Sequence, residues 1–336
     1  MGKLWFWTER AVPAAVPFIL VTAFVLFSFA QGAVSEEYKA WPGEFLRMGA
    51  GARAMGMGNA YSAVEGDVYS AYFNPAGLAA LRNRQLAVSW RYLSMDRRFV
   101  DVAYGNRIGP DADFAVSWIQ SGTDGITGRD LNGNITHSLE DKRNAVTLTF
   151  SKTVNEMISI GINTKLVMWK LDSEDARTFG FDIGTIFRPI DNVAVSFVMR
   201  DIKSRFRWES QRWKETLSGS DSQPLEKDDS FPVYYTFGVA YKAYMDKILL
   251  SATVENVEDN PVGLNLGAAY EVNDRIILRT GIYNYTSSDE FDTGSATFGF
   301  TLNVTRTLGF DYAYVPDDFG NDSLHVASLF MNYGER

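Results

Sequence analysis

The stretch Ile158-Ser159-Ile160-Gly161-Ile162-Asn163-Thr164-Lys165-Leu166-Val167-Met168 decides the fold. Ile158, Ile160, Ile162, Leu166 and Met168 share one face of an extended chain, and Ser159, Gly161, Asn163 and Lys165 share the other. The period is two, not 3.6, so this is a strand with one apolar and one polar face. Four other runs repeat it. Val146, Leu148 and Phe150 alternate with Thr147, Thr149 and Ser151, and Val233, Tyr235, Phe237, Val239 and Tyr241 with Thr236, Gly238, Ala240 and Lys242. Ala296, Phe298, Phe300, Leu302 and Val304 oppose Thr297, Gly299, Thr301 and Asn303, while Leu308, Phe310, Tyr312 and Tyr314 oppose Gly309, Asp311 and Ala313.

From Arg84 to Tyr333 such runs of about ten residues follow one another, and the breaks between them alternate in length. The short set is 108–112, 153–157, 189–192, 244–247, 272–275 and 304–307. The other set is mostly longer: 123–142, 172–177, 207–231, 286–294 and 316–323, with the first connection and 256–262 short. A soluble sandwich has no reason to keep this parity. A transmembrane β-barrel does, because turns on one side stay tight while loops on the other are free to grow. Roughly fourteen strands are predicted, an even number as bacterial barrels have. They begin near Gln85, Arg98, Asp113, Arg143, Met157, Thr178, Asn192, Pro232, Lys247, Gly263, Arg275, Ser295, Thr307 and His325. The polar faces carry Arg91, Asp101, Lys165, Asp182, Arg200, Lys242, Glu255, Arg279 and Asp311. So many charges would be costly in a dry soluble core and are tolerable in a wet or plugged lumen. The competing reading is a one-sided soluble sheet with these charges in solvent. Trp90, Tyr92, Trp118 and Trp169 fall near strand ends, as an aromatic girdle requires.

Bulk composition hides a barrel, since half of each strand is polar. Mean hydropathy is -0.14, with 46% hydrophobic and 14% aromatic residues. A net charge of -9 argues against nucleic-acid binding, which needs Lys and Arg for phosphate. There is no cysteine, which removes disulfides and thiolate chemistry and suits an exported chain. Residues 1–33 read as a cleaved export signal: Lys3 and Arg10, then an apolar run from Ala11 to Ala30, then small residues up to Ala33. An uncleaved helical anchor is the alternative. No later segment has the roughly 18 consecutive apolar residues of a spanning helix.

Residues 45–81 break the rhythm, reading FLRMGAGARAMGMGNAYSAVEGDVYSAYFNPAGLAAL. Gly49, Gly51, Gly56 and Gly58 allow tight turns and close approach, and Asn74-Pro75-Ala76-Gly77 reads as a turn leading into a short helix. Residues 34–82 are therefore predicted to fold inside the barrel of residues 83–336 as a plug; an extended linker is the alternative, opposed by the Met, Leu, Phe and Tyr content. The run ARAMGMGNAYSAVEGDVYSAYFNPAGLA, Ala52 to Ala79, resembles the N-terminal signature of the FadL-like outer-membrane proteins, most of all the PorV/PorQ branch. That resemblance implies a fourteen-stranded barrel in the bacterial outer membrane. FadL-like transport implies a hatch passing small hydrophobic compounds, with Phe45, Met48, Met55 and Met57 as an adaptable apolar surface and Asn74, Pro75, Ala76 and Gly77 holding the hatch in register. A PorV-like role implies a scaffold or shuttle for proteins of type IX secretion.

Other chemistry is thin. Arg205, Arg207, Trp208, Arg212 and Trp213 form a basic-aromatic patch in the largest loop, suited to lipopolysaccharide phosphates or a partner protein, or to lying at the headgroup level. Asp317, Asp318 and Asp322 lack a complete calcium-loop pattern. His137 and His325 have no serine motif near them, so no catalytic residue is predicted. No cofactor or metal is expected. The expected partners are outer-membrane lipid and lipopolysaccharide, with a small hydrophobic ligand or a secretion-system protein.

Overall fold

The computed structural model describes residues 41–93, 97–130, 132–172, 174–209, 226–257, 262–287, 292–316 and 323–334. The export signal, Arg212 and Trp213, and Asp317, Asp318 and Asp322 lie outside the described residues. Seven strands come first: β1 (Arg84–Leu93), β2 (Arg97–Arg107), β3 (Ala112–Arg129), β4 (Ile135–Thr153), β5 (Ile158–Leu171), β6 (Glu174–Ile190) and β7 (Val193–Ile202). A hairpin of β8 (Arg205–Glu209) and β9 (Glu226–Ser230) follows. Then come β10 (Tyr234–Ala243), β11 (Ile248–Val257), β12 (Gly263–Asn273), β13 (Ile276–Ser287), β14 (Asp292–Asn303), β15 (Leu308–Val315) and β16 (Leu324–Tyr333).

All pairings are antiparallel. β7 pairs directly with β10, and β1 pairs with β16 from Arg84↔Tyr333 to Arg91↔Val326, so fourteen strands close into a ring. Closure bonds each wall strand on both sides, the one sheet arrangement that needs no water along its edges. β8 and β9 stand outside the ring, stacked on the upper part of β6 through Asp175↔Glu209 to Arg177↔Arg207. The alternation runs as read. Phe179, Ile183, Phe237, Phe298, Phe300 and Leu302 are exposed on the outer face, while Ser159, Asn163, Lys165, Asp182, Thr236, Thr297 and Asp311 are buried on the inner one.

Three boundaries depart from the sequence reading, for one reason. The connection expected at 123–142 is mostly strand: β3 and β4 stay paired as far as Arg129↔Ile135 and turn at Asp130, whose carboxylate accepts the Asn132 and Asn134 N–H groups at 2.9 Å each. The loop expected at 207–231 contains the β8–β9 hairpin, and β6 starts at Glu174, not Thr178. Beyond the apolar belt both faces of a strand are wet, so the alternation stops while the ladder continues. Trp169 is a further correction. It faces inward and packs with Phe206 and Trp208 rather than joining a girdle.

The apolar core lies inside the ring and is shared with residues 41–83. This segment has a 3-10 turn (Glu44–Arg47), helix α1 (Ala52–Met55), helix α2 (Ser70–Phe73) and a second 3-10 turn (Pro75–Ala80). Ala52, Ala54, Ala60, Asn74, Ala76 and Leu78 are fully buried. A solvated linker cannot show this burial. The segment is folded against the inner wall.

Candidate functional site

The inner wall is shaped to the segment by glycine. A methyl group at Gly161 of β5 would overlap the Pro75–Ala76 backbone, one at Gly184 of β6 would overlap the Asn74 side chain, and one at Gly238 of β10 would overlap Ser62. At Gly267 of β12 it would lie 2.6 Å from the Met57 carbonyl, at Gly281 of β13 it would strike Gly58, and at Gly299 of β14 it would lie 3.1 Å from the Gly56 Cα. The segment thus runs around the barrel from β14 to β5, touching six strands at their glycines, four of them backbone against backbone. Gly58 itself has φ 60°, and a side chain there would meet the Ile282 backbone. Polar wall residues complete the contacts: Ser328 Oγ accepts the Ala52 N–H at 2.8 Å, and Asn163 donates to the Ala71 carbonyl at 3.1 Å.

Asn74 explains why the Asn-Pro-Ala-Gly run folds as it does. Its Oδ1 accepts the Ala76 N–H at 2.9 Å, capping the 3-10 turn, with Pro75 at the first position, where a missing N–H costs nothing. Its Nδ2 donates to the Ser62 carbonyl at 2.8 Å and the Thr185 carbonyl of β6 at 3.3 Å. One side chain therefore ties the turn, the segment and the wall together.

Charges tie the segment toward both ends of the lumen. Near the long loops, Lys165 of β5 donates to Asp182 of β6 at 2.7 Å and also to Asp201. Asp201 further pairs with Arg47 of the segment at 3.4 Å. At the same end Arg91 of β1 donates to the Met48 and Gly49 carbonyls at 3.0 and 2.9 Å and lies 3.8 Å over the Phe99 ring. Near the short turns Arg53 reaches Asp311 of β15 at 3.1 Å and Asp67 at 3.5 Å, with Arg279 of β13 at 3.8 Å from Asp311. Arg188 of β6 donates to Glu65 at 3.0 Å. Arg200 pairs with Glu255 at 2.8 Å across β10. Asp101, predicted with these groups, is buried on β2 beside Arg91.

The two ends of the lumen differ. At the long-loop end Phe45 and Leu46 pack with Phe99, Ile119, Val167, Phe206 and Phe231, and Met48, Trp169 and Trp208 close the cluster. The Phe206 and Phe231 rings meet edge to face at 4.9 Å. At the short-turn end a cavity of about 470 Å³ lies under the segment, lined among others by Arg53, Arg82, Lys242 and Arg279. It adjoins a groove of about 900 Å³ edged by Arg82, Arg84 and Arg107. Among the described residues Arg82, Arg84 and Lys242 make no ion pair.

The expected apolar surface is divided. Phe45 and Met48 belong to the aromatic cluster. Met55 packs with Ala313, Val315 and Val326, and Met57 with Tyr61, Phe73 and Ile186. The loop patch is also divided. Arg205 and Arg207 are exposed and pair with Asp228 at 3.2 and 3.4 Å, whereas the Trp208 ring turns inward and its Nε1 donates to Asp229 at 2.9 Å. His137 sits 3.7 Å from Asp172, and His325 meets the Tyr312 hydroxyl at 2.6 Å. Arg47, Arg53, Asp67 and Asp201 were missed. Arg53 had a visible signal as the one charge in a run of small residues. Asp201 had none: β7 bulges against β6, so Arg200 and Asp201 both turn inward, with Asp201 at φ 62°.

No protein-family model and no curated protein matches this sequence. Solved structures do match it. The toluene transporter TodX of P. putida is 15% identical over 86% of this chain and 99% of its own, with a TM-score of 0.58. The monoaromatic hydrocarbon channel CymD is 13% identical over 88% of this chain and 99% of its own, at 0.60. A FadL homologue of Pseudomonas aeruginosa is 14% identical over 83% of this chain and 96% of its own, at 0.55. The fold is that of the FadL-type channels. At these identities the likeness covers architecture, which here means the closed fourteen-strand ring.

Proposed function

We propose that this chain is an integral outer-membrane channel that passes small hydrophobic compounds, with residues 34–82 as its hatch and residues 1–33 as the leader that exports it. The long loops face outward and the short turns face the periplasm. The observation that carries this reading is the aromatic cluster at the long-loop end, where rings of the N-terminal segment and the wall meet inside the lumen. Phe45 and Leu46 come from the hatch, Phe206 lies in the outer hairpin and Phe231 directly follows it. An apolar compound replacing their mutual contacts loses little, because its own surface leaves water as theirs is exposed. Moving Phe45 pulls on Arg47 and Met48, the groups tied to Asp201 and Arg91, so entry of a ligand is coupled to the hatch. The role is passage, with no catalytic step.

The test is uptake of radiolabelled alkylbenzenes by cells with and without the gene. Expression should speed entry and leave hydrophilic solutes of equal size unaffected. Equal uptake across the apolar panel would end this reading. The second reading, a PorV-like scaffold for type IX secretion, rests on the Ala52–Ala79 signature. Arg205 and Arg207 are already engaged by Asp228, which favours passage over docking at that loop. Removing residues 205–230 should spare recovery of secreted proteins if passage is the role and abolish it if docking is.

A further inference from the structure

The outer face of the barrel is not uniform. Around most of the ring its apolar belt is large and convex, with Phe179, Phe181 and Phe187 on β6, Leu148 and Phe150 on β4, and Phe298 and Phe300 on β14 all exposed. Across β10 to β13 it is hollow. A groove of about 510 Å³ opens outward there, within the roughly 300–1,000 Å³ of sites that hold one small ligand. Its floor is made by Ala252, Ala268 and Thr280 and its sides by Tyr241, Leu250 and Leu266. The register makes it continuous, since Leu250 stands opposite both Tyr241 and Ala268, and Ala268 opposite Thr280. The Thr280 hydroxyl donates to the Thr297 carbonyl at 3.1 Å, which removes its polarity from the lining. A slip in the β12–β13 ladder at Leu264/Leu266 bends the wall at this point. Behind the floor, Gly267 and Gly281 meet Met57 and Gly58, so one backbone layer separates the groove from the hatch.

We propose that this groove is a binding site for one acyl chain of a glycerophospholipid in the periplasmic leaflet, a proposal that rests on the reading of the barrel as an outer-membrane protein. The groove belongs to the periplasmic half, because Val193 follows the short 191–192 turn and Tyr241 stands just before the 244–247 turn. Tyr241 there has the ring that a lipid headgroup boundary favours. The groove is continuous with the lipid-facing belt, so a chain reaches it without leaving the bilayer. A second copy of this protein fills it poorly. A two-fold contact centred on it would set groove against groove and leave both hollow.

The experiment is native mass spectrometry of the whole protein, extracted from outer membranes and stripped stepwise in mild detergent. The proposal expects one phospholipid to stay with the wild type. The double variant Ala252→Leu/Ala268→Leu should hold it about tenfold more weakly, as the loss of about two methylenes' worth of contact implies. Ala327→Leu, a substitution of the same kind on the outer face of β16, should leave retention unchanged. Tyr241→Trp supplies an independent readout that needs no filling of the groove: its fluorescence should be quenched by phospholipids brominated on the chain more strongly than that of Tyr270→Trp. Equal retention by wild type and filled variant overturns the proposal, as does a dimer that the filled variant converts to monomer. Absence of the protein from the outer-membrane fraction removes the functional reading and this site together, which separates that failure from failure of the groove alone.

Discussion

The two ends of the lumen are built by opposite rules. The long-loop end is dry and closed: aromatic rings interlock, and Lys165, Arg47 and Arg200 each face a carboxylate. The short-turn end is hollow, and Arg82, Arg84 and Lys242 face open space. An ion pair in a dry setting must be complete, because a single buried charge is expensive, whereas a cation beside water needs no partner. Residues 41–83 lie where one regime gives way to the other. If the barrel passes apolar compounds as proposed, a compound moving inward leaves apolar contacts for hydrated ones, so the end it enters is the end that selects it.

Breaking the charge balance at the dry end should have the largest effect. Lys165→Met leaves Asp182 and Asp201 facing each other and should lower stability by about 3–5 kcal/mol, read from urea denaturation in detergent micelles; a change under 1 kcal/mol would mean that water already reaches this triad. Phe231→Ala should cost about 3 kcal/mol and let bulkier alkylbenzenes enter faster, and unchanged size selection would remove the cluster from the path. Gly184→Ala, which crowds Asn74, should cost roughly 1–3 kcal/mol and raise leak of small hydrophilic solutes in liposome swelling; a tight barrel at reduced stability would show that the Asn74 turn does not seal the lumen. At the wet end, Arg82→Gln with Lys242→Gln should stay within about 0.5 kcal/mol of wild type. A larger loss would show that these cations have hidden partners, and the contrast between the ends would blur.

Much of this was legible in the sequence, and the reasons are specific. Ile158 to Met168 shows its period because the outer and inner faces of the ring impose opposite demands on alternate residues. The same physics explains the silence of residues 123–142, where both faces are wet and a continuing ladder leaves no mark. The Asn74–Gly77 turn was readable because its chemistry is local, an asparagine cap before proline. The ties between the N-terminal segment and the wall were not. Arg47 and Asp201 are 154 positions apart, and the bulge that turns Asp201 inward leaves no local pattern. The grouping of Met55 and Met57 into separate clusters likewise follows from the path of the chain around the wall.

The wall glycines carry a consequence for variation. Gly161, Gly184, Gly238, Gly267, Gly281 and Gly299 form a mould, and the N-terminal segment is the casting. Neither half can drift alone. A larger residue at one of these six places is tolerable when the chain opposite it retreats, so changes should come in matched pairs, one in the N-terminal segment and one in a strand far along the sequence. In a lineage of such barrels, glycines that vanish from the inner faces would trace where the N-terminal segment has been rerouted or given up.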